Sequence, residues 1–134
     1  MTAGDPTKAA FVVCVVDDDE SIRDALRGLL RSVGYLVETF ISAEALLGAG
    51  ALQRSDCLVL DVHLPGMSGL DLLGQLRDER RSIPTVLVSA RVDHNQRARG
   101  SALGALAFFP KPFSETALLN VIRAACEKTS NLVP

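Results

Sequence analysis

Residues 11–20, FVVCVVDDDE, decide how the rest of the chain is read. Phe11 to Val16 form an unbroken apolar run rich in β-branched valine. Continuous apolarity, unlike alternation, marks a strand covered on both faces, as in a parallel sheet. Four acids, Asp17, Asp18, Asp19 and Glu20, follow at once. A bare acidic run is ordinarily a solvated loop. One at the carboxyl end of a buried strand stands where open α/β sheets place their ligands.

Working outward, Ile22, Leu26, Leu29, Leu30 and Val33 recur at three- and four-residue steps and predict a helix that Gly34 closes. Residues 35–40 read as a second strand, and Ser42 as the N-cap of a helix over 43–52. A third strand at 57–62 runs into a Pro65-Gly66 turn, and a helix follows through Leu70, Leu72, Leu73 and Leu76. Pro84 introduces a fourth strand at 85–89; the helix expected over 93–103 has the least apolar face of the set. A short fifth strand at 105–109 is ended by Pro110 and Pro112. Ser114 then caps a last helix carrying Leu118, Leu119, Val121, Ile122 and Ala125. Residues 1–9 and 129–134 lack periodicity and read as flexible tails around a domain at 10–128. Strands alternating with helices predict an α/β fold, a five-stranded parallel sheet with helices on both faces and right-handed crossovers.

The 134 residues are one domain's worth of chain, with 48% hydrophobic and 22% charged residues, as in ordinary globular proteins. A formal charge of -2 and six aromatic residues without Trp argue against direct nucleic-acid binding, which needs cationic and stacking groups. No apolar run reaches the roughly 20 residues that cross a bilayer, and no secretory signal opens the chain. Cys14 and Cys57 lie in apolar runs and Cys126 in a helical pattern. They read as buried thiols in a reducing compartment, and the expectation is a soluble cytoplasmic domain without membrane contact.

The strand ends collect complementary chemistry. The third strand ends in Asp61; if it neighbours the first, Asp61 and Asp18 converge, and converging carboxylates call for a cation. Oxygen ligands of this kind suit magnesium, and neither His63 nor His94 has a spaced partner for a softer metal. Ser89 ends strand four with a hydroxyl, and Lys111 follows strand five between two prolines. A carboxylate-bound magnesium, a hydroxyl and an ammonium around one point would stabilise a transferring phosphoryl group. No GxxxxGK[ST] or GxGxxG loop supports nucleotide binding.

These residues resemble the receiver domain of two-component response regulators over about 10–128. The resemblance rests on VVDDDESIR (15–23), LVLDVHLPGMSGLDLL (58–73), VLVSA (86–90), GALAFFPKPF (104–113) and the closing helix. The SAEALL (42–47) and KPF (111–113) segments look nearest to receivers of the FixJ/NarL type. The resemblance implies the flavodoxin/CheY-like (βα)5 receiver fold. It makes Asp61 the phosphoacceptor, Asp18 the direct Mg2+ ligand and Asp17 a ligand acting more through water, with the His63 backbone carbonyl completing the shell. Arg23 falls five residues after Asp18, which favours this register; Asp18/Asp19 is the other. Ser89 matches the switch hydroxyl, Lys111 the family lysine and Phe108 the switch aromatic, with Phe109 the rival for the buried place. His63 and Arg91, two residues after Asp61 and Ser89, match positions that set phosphate lifetime. The Lys111–Pro112 bond resembles a cis bond common in receivers.

By the same resemblance the phosphoryl donor is a phosphohistidine on a histidine kinase or phosphotransfer protein. That partner docks near Ile22, itself also a core candidate, and at Pro112-Phe113. The output surface includes parts of 93–109 and 114–126, and phosphorylation-dependent homodimerisation is a family property. The chain carries no helix-turn-helix after its last helix, so it reads as a stand-alone receiver or as the front of a longer transcription regulator. Whether to call it an enzyme stays open, since self-phosphorylation and autodephosphorylation would be its only reactions. Two other readings stand beside this one. A receiver-like interaction module without phosphorylation would keep the acids as relics. A haloacid-dehalogenase-like phosphatase expects a second Asp where His63 stands.

Overall fold

The five strands of the computed structural model, which describes residues 10–91 and 93–131, are β1 (Val12–Val16), β2 (Leu36–Phe40), β3 (Cys57–Asp61), β4 (Thr85–Ser89) and β5 (Ala107–Pro110). They lie in the order β2-β1-β3-β4-β5, each pair parallel. The helices are α1 (Glu20–Ser32), α2 (Ala43–Gly48), α3 (Gly69–Asp78), α4 (His94–Ala102) and α5 (Glu115–Asn131). Alternation within each strand explains the unbroken apolar runs. Cys14, Val16, Leu58, Leu60 and Leu87 face α2 and α3, while Val13, Val15, Cys57, Val59, Val86 and Val88 face α1 and α5. Both faces are dry, as the sequence pattern requires. Among the described residues no helix is long and apolar enough to cross a membrane.

Several boundaries differ from expectation. The helix expected over 43–52 stops at Gly48; Gly50 turns left-handed at φ 65°, and Ala51–Arg54 forms a separate 3-10 turn. Glycine takes that conformation without steric cost, so the chain turns here. Strand five begins two residues late and includes Pro110. It is an edge strand, where a residue without an N–H is tolerated. Val33, expected on the buried face of α1, is its C-cap and 40% exposed. Helix α5 continues to Asn131, into the expected tail; residues 1–9 and 132–134 lie outside the described residues. Helix α4 runs as expected but buries only Gly100, where a β-carbon would stand 2.6 Å from Leu87 Cδ1.

Candidate functional site

The sheet order places β1 beside β3 and β4 beside β5, so the residues leaving these strands meet at one edge. Asp17 directly follows β1, its N–H donating to the Phe40 carbonyl of β2 at 3.1 Å. Asp61 is the last residue of β3. Lys111 follows β5, with its N–H donating to the Ser89 carbonyl at 2.7 Å. The backbone ladder therefore carries these side chains to one place, from sequence positions up to 94 residues apart.

The two buried carboxylates are held alike. Asp17 Oδ1 accepts the Asp19 N–H and Asp61 Oδ1 accepts the His63 N–H, both at 2.9 Å. Their Oδ2 atoms share one donor, Lys111 Nζ, at 2.8 Å from Asp17 and 3.1 Å from Asp61. Each carboxylate thus uses one oxygen to fix its own loop and the other to bind the ammonium. Arg23 adds a bond from its guanidinium to the Asp17 carbonyl at 2.9 Å. Burial pushes the Asp17 carboxyl above its ordinary value, which Lys111 and the Asp19 N–H offset only in part. Burial also opposes the charge on Lys111, but its bonds to Asp17 and the charge of Asp61 prevail and hold it above the ordinary lysine value.

Asp18 is exposed, yet carboxylate oxygens of Asp17, Asp18 and Asp61 all lie within 4.8 Å of one another. An all-oxygen, mostly buried acidic cluster fits a hard divalent cation such as magnesium. Asp19 does not join it: its carboxylate caps α1, accepting from the Ser21 N–H at 2.9 Å and hydroxyl at 2.7 Å. The geometry therefore groups 17 with 18 and leaves 19 to the helix.

Ser89 is fully buried at the end of β4, and its hydroxyl is engaged by the Arg91 backbone. It donates to the Arg91 carbonyl at 2.8 Å and accepts the Arg91 N–H at 3.1 Å. His63 and Arg91 have exposed side chains. Phe108 and Phe109 point to opposite faces, Phe108 packing with the α2–α3 cluster and Phe109 with the α1–α5 cluster, 6.4 Å from the Phe113 ring. Two contacts near the site escape a reading of sequence: Arg97 stands over the Phe108 ring at 5.1 Å, and Glu44 of α2 accepts the Met67 N–H at 2.8 Å. Arg97 lies in none of the quoted segments and Glu44 lies in SAEALL, but both meet their partners only through tertiary packing.

Residues 13–123 match the family model described as the response regulator receiver domain. The chain belongs to the response regulator receiver family. Response regulator protein TodT of Pseudomonas putida is 41% identical over 116 residues, covering 87% of this chain and 51% of that protein. Transcriptional regulatory protein FixJ of Rhizobium meliloti is 34% identical, covering 87% of this chain and 57% of that protein. A solved structure of response regulator StyR superposes with a TM-score of 0.83 at 43% identity, over 92% of this chain and 62% of that one. The expected likeness to FixJ-type regulators is borne out, as is the CheY-like receiver fold. The receiver spans little more than half the length of the curated relatives it matches.

Proposed function

We propose that this receiver accepts a phosphoryl group on Asp61 from a phosphohistidine of a histidine kinase or phosphotransfer protein. The observation that carries this reading is the meeting of Asp17, Asp18 and Asp61 within 4.8 Å, with Lys111 bonded to two of them. An Asp61 oxygen attacks phosphorus, the phosphorus–nitrogen bond breaks and the imidazole leaves, producing an aspartyl phosphate. Water later cleaves it to the free carboxylate and inorganic phosphate. Asp18, Asp61 and the His63 carbonyl would hold magnesium, with Asp17 acting through water. When bound, magnesium neutralises charge between the carboxylate nucleophile and the phosphoryl oxygens. Lys111, which pairs Asp17 and Asp61, then binds a phosphoryl oxygen.

Ser89 supplies a second contact once its hydroxyl leaves Arg91, and Phe108 repacks into the space released. This pair converts about two added negative charges into a changed α4–β5–α5 face. His63 and Arg91 flank the water's approach and set phosphate lifetime. The kinase docks in the groove of about 170 Å³ lined by Ile22, Ala25, Leu26, Lys111, Pro112 and Phe113. The receiver occupies residues 10–128, works in the cytoplasm, dimerises on phosphorylation and controls an output module that regulates transcription.

Labelling from a phosphorylated kinase or a small phosphodonor tests the reading. The unaltered chain takes up acid-stable, base-labile phosphate in the presence of magnesium, and Asp61→Asn takes up none. Persistent labelling of that variant overturns the assignment. Failure of beryllofluoride with magnesium to alter the chain identifies a module without phosphorylation.

A further inference from the structure

The loop between β3 and α3 carries the His63 carbonyl, and its two ends are anchored locally. His63 N–H donates to Asp61 Oδ1 at the start. At the far end, Gly69 N–H donates to the Val62 carbonyl at 3.2 Å, and Ser68 closes a reciprocal capping box with Asp71. Between these anchors lies the 2.8 Å bond from Met67 N–H to Glu44 Oε2, which ties the loop to α2. The carboxylate comes so close that a β-carbon at Gly66, where φ is +74°, would stand 2.6 Å from Glu44 Oε2. Two features therefore converge on one side chain: a hydrogen bond into the loop, and a glycine that leaves room for it.

Glu44 is exposed, and the Met67 N–H holds its carboxyl below the ordinary value. A single exposed bond adds little to global stability. Its effect is local, because the loop it restrains begins at Asp61 and carries His63, whose carbonyl the proposed function assigns to magnesium. Groups that orient metal ligands from outside the coordination sphere govern affinity in this way.

We propose that Glu44 is a positioning residue: by holding the Met67 N–H it fixes the loop that presents the His63 carbonyl, and so sets the affinity of the acidic site for magnesium. This inference rests on the phosphoacceptor reading. The acceptor oxygen, not the charge, does the positioning, so glutamine can replace glutamate at 44.

Calorimetric titration of the full chain with magnesium alone, beside thermal unfolding in metal-free buffer, tests it. Glu44→Ala binds magnesium about tenfold more weakly, Glu44→Gln binds like the unaltered chain, and the metal-free midpoints of the two variants agree. The Met67 amide exchanges faster with solvent in Glu44→Ala and stays slow in Glu44→Gln. Gly66→Ala, whose β-carbon displaces the carboxylate, loses more affinity in the unaltered background than in Glu44→Ala; equal losses in both overturn the proposal. Magnesium binding by Glu44→Ala at the unaltered strength overturns the positioning role alone, as does an equal loss in Glu44→Gln. Absence of magnesium binding by the unaltered chain overturns the phosphoacceptor reading and this inference with it.

Discussion

Lys111 and Asp17 are joined by a 2.8 Å bond in which the carboxylate is 1% exposed and the lysine side chain 16%. The same ammonium reaches Asp61, so one cation balances two buried acids. Burial nevertheless wins at Asp17, whose carboxyl stays above its ordinary value despite the pairing. The buried carboxylate thus carries an electrostatic cost.

That cost predicts a pH-dependent gain for Asp17→Asn. With the folded value raised above the unfolded 3.8, the native state keeps its proton longer, so stability falls as pH rises through the raised value. An asparagine has no charge to desolvate, but its one oxygen accepts from either Lys111 or the Asp19 N–H, not from both. Its thermal midpoint in metal-free buffer, taken relative to the unaltered chain, should rise as pH increases toward neutral. The difference should shrink below the unfolded value, where both side chains are neutral. A relative midpoint that does not rise with pH contradicts the assignment of cost to Asp17.

Ser89→Ala separates the proposed switch hydroxyl from the proposed metal site. Among the described residues the hydroxyl bonds only the Arg91 backbone, whose residue is exposed, so water replaces what is lost and stability falls by about 0.5–1.5 kcal/mol. Magnesium affinity should not change, because no bond links Ser89 to the carboxylates. Phosphoryl uptake should slow, since the transferring group loses a donor. Uptake at the unaltered rate would remove Ser89 from the reaction.

Arg97 over the Phe108 ring makes a contact that a double-mutant cycle can isolate. An exposed cation above an aromatic face contributes about 0.5–1 kcal/mol. Arg97→Gln should cost that amount in urea unfolding, and the cost should vanish in a Phe108→Leu background. Equal costs in both backgrounds would show that the ring does not hold the guanidinium.

Strands were readable because burial on both faces leaves an unbroken apolar run, as at residues 57–60 and 86–88, where neither face admits a polar group. The site followed from those strand ends: Asp61 and Lys111 needed only the sheet order to meet. Other features depend on information that a linear pattern does not carry. The helix expected over 43–52 ends at Gly48, and the left-handed Gly50 turns the chain before Leu52. Arg97, Glu44 and the direction of the Ser89 hydroxyl depend on rotamers and on packing between distant elements. Val33 continues the spacing of α1 but falls where the chain leaves the helix, so periodicity overstates its burial.

Gly100→Ala sets two known effects against each other at the least apolar helix. Replacing glycine by alanine within a helix gains about 1 kcal/mol. Here the new β-carbon would stand 2.6 Å from Leu87 Cδ1, and Leu87 is fully buried between β4 and the helices. Overpacking of this kind costs about 1–3 kcal/mol, so the balance should be a net loss measured by urea unfolding. Helix α4 should give way before the core does. Its ties to α3 are the 3.6 Å Arg99–Asp71 pair and the Arg77 bond to the Ala102 carbonyl, both exposed and weak. Leu87→Val removes the colliding carbon, and in that background Gly100→Ala should become stabilising. If Gly100→Ala stabilises the unaltered chain, Leu87 yields freely and the close approach does not hold α4 to the sheet.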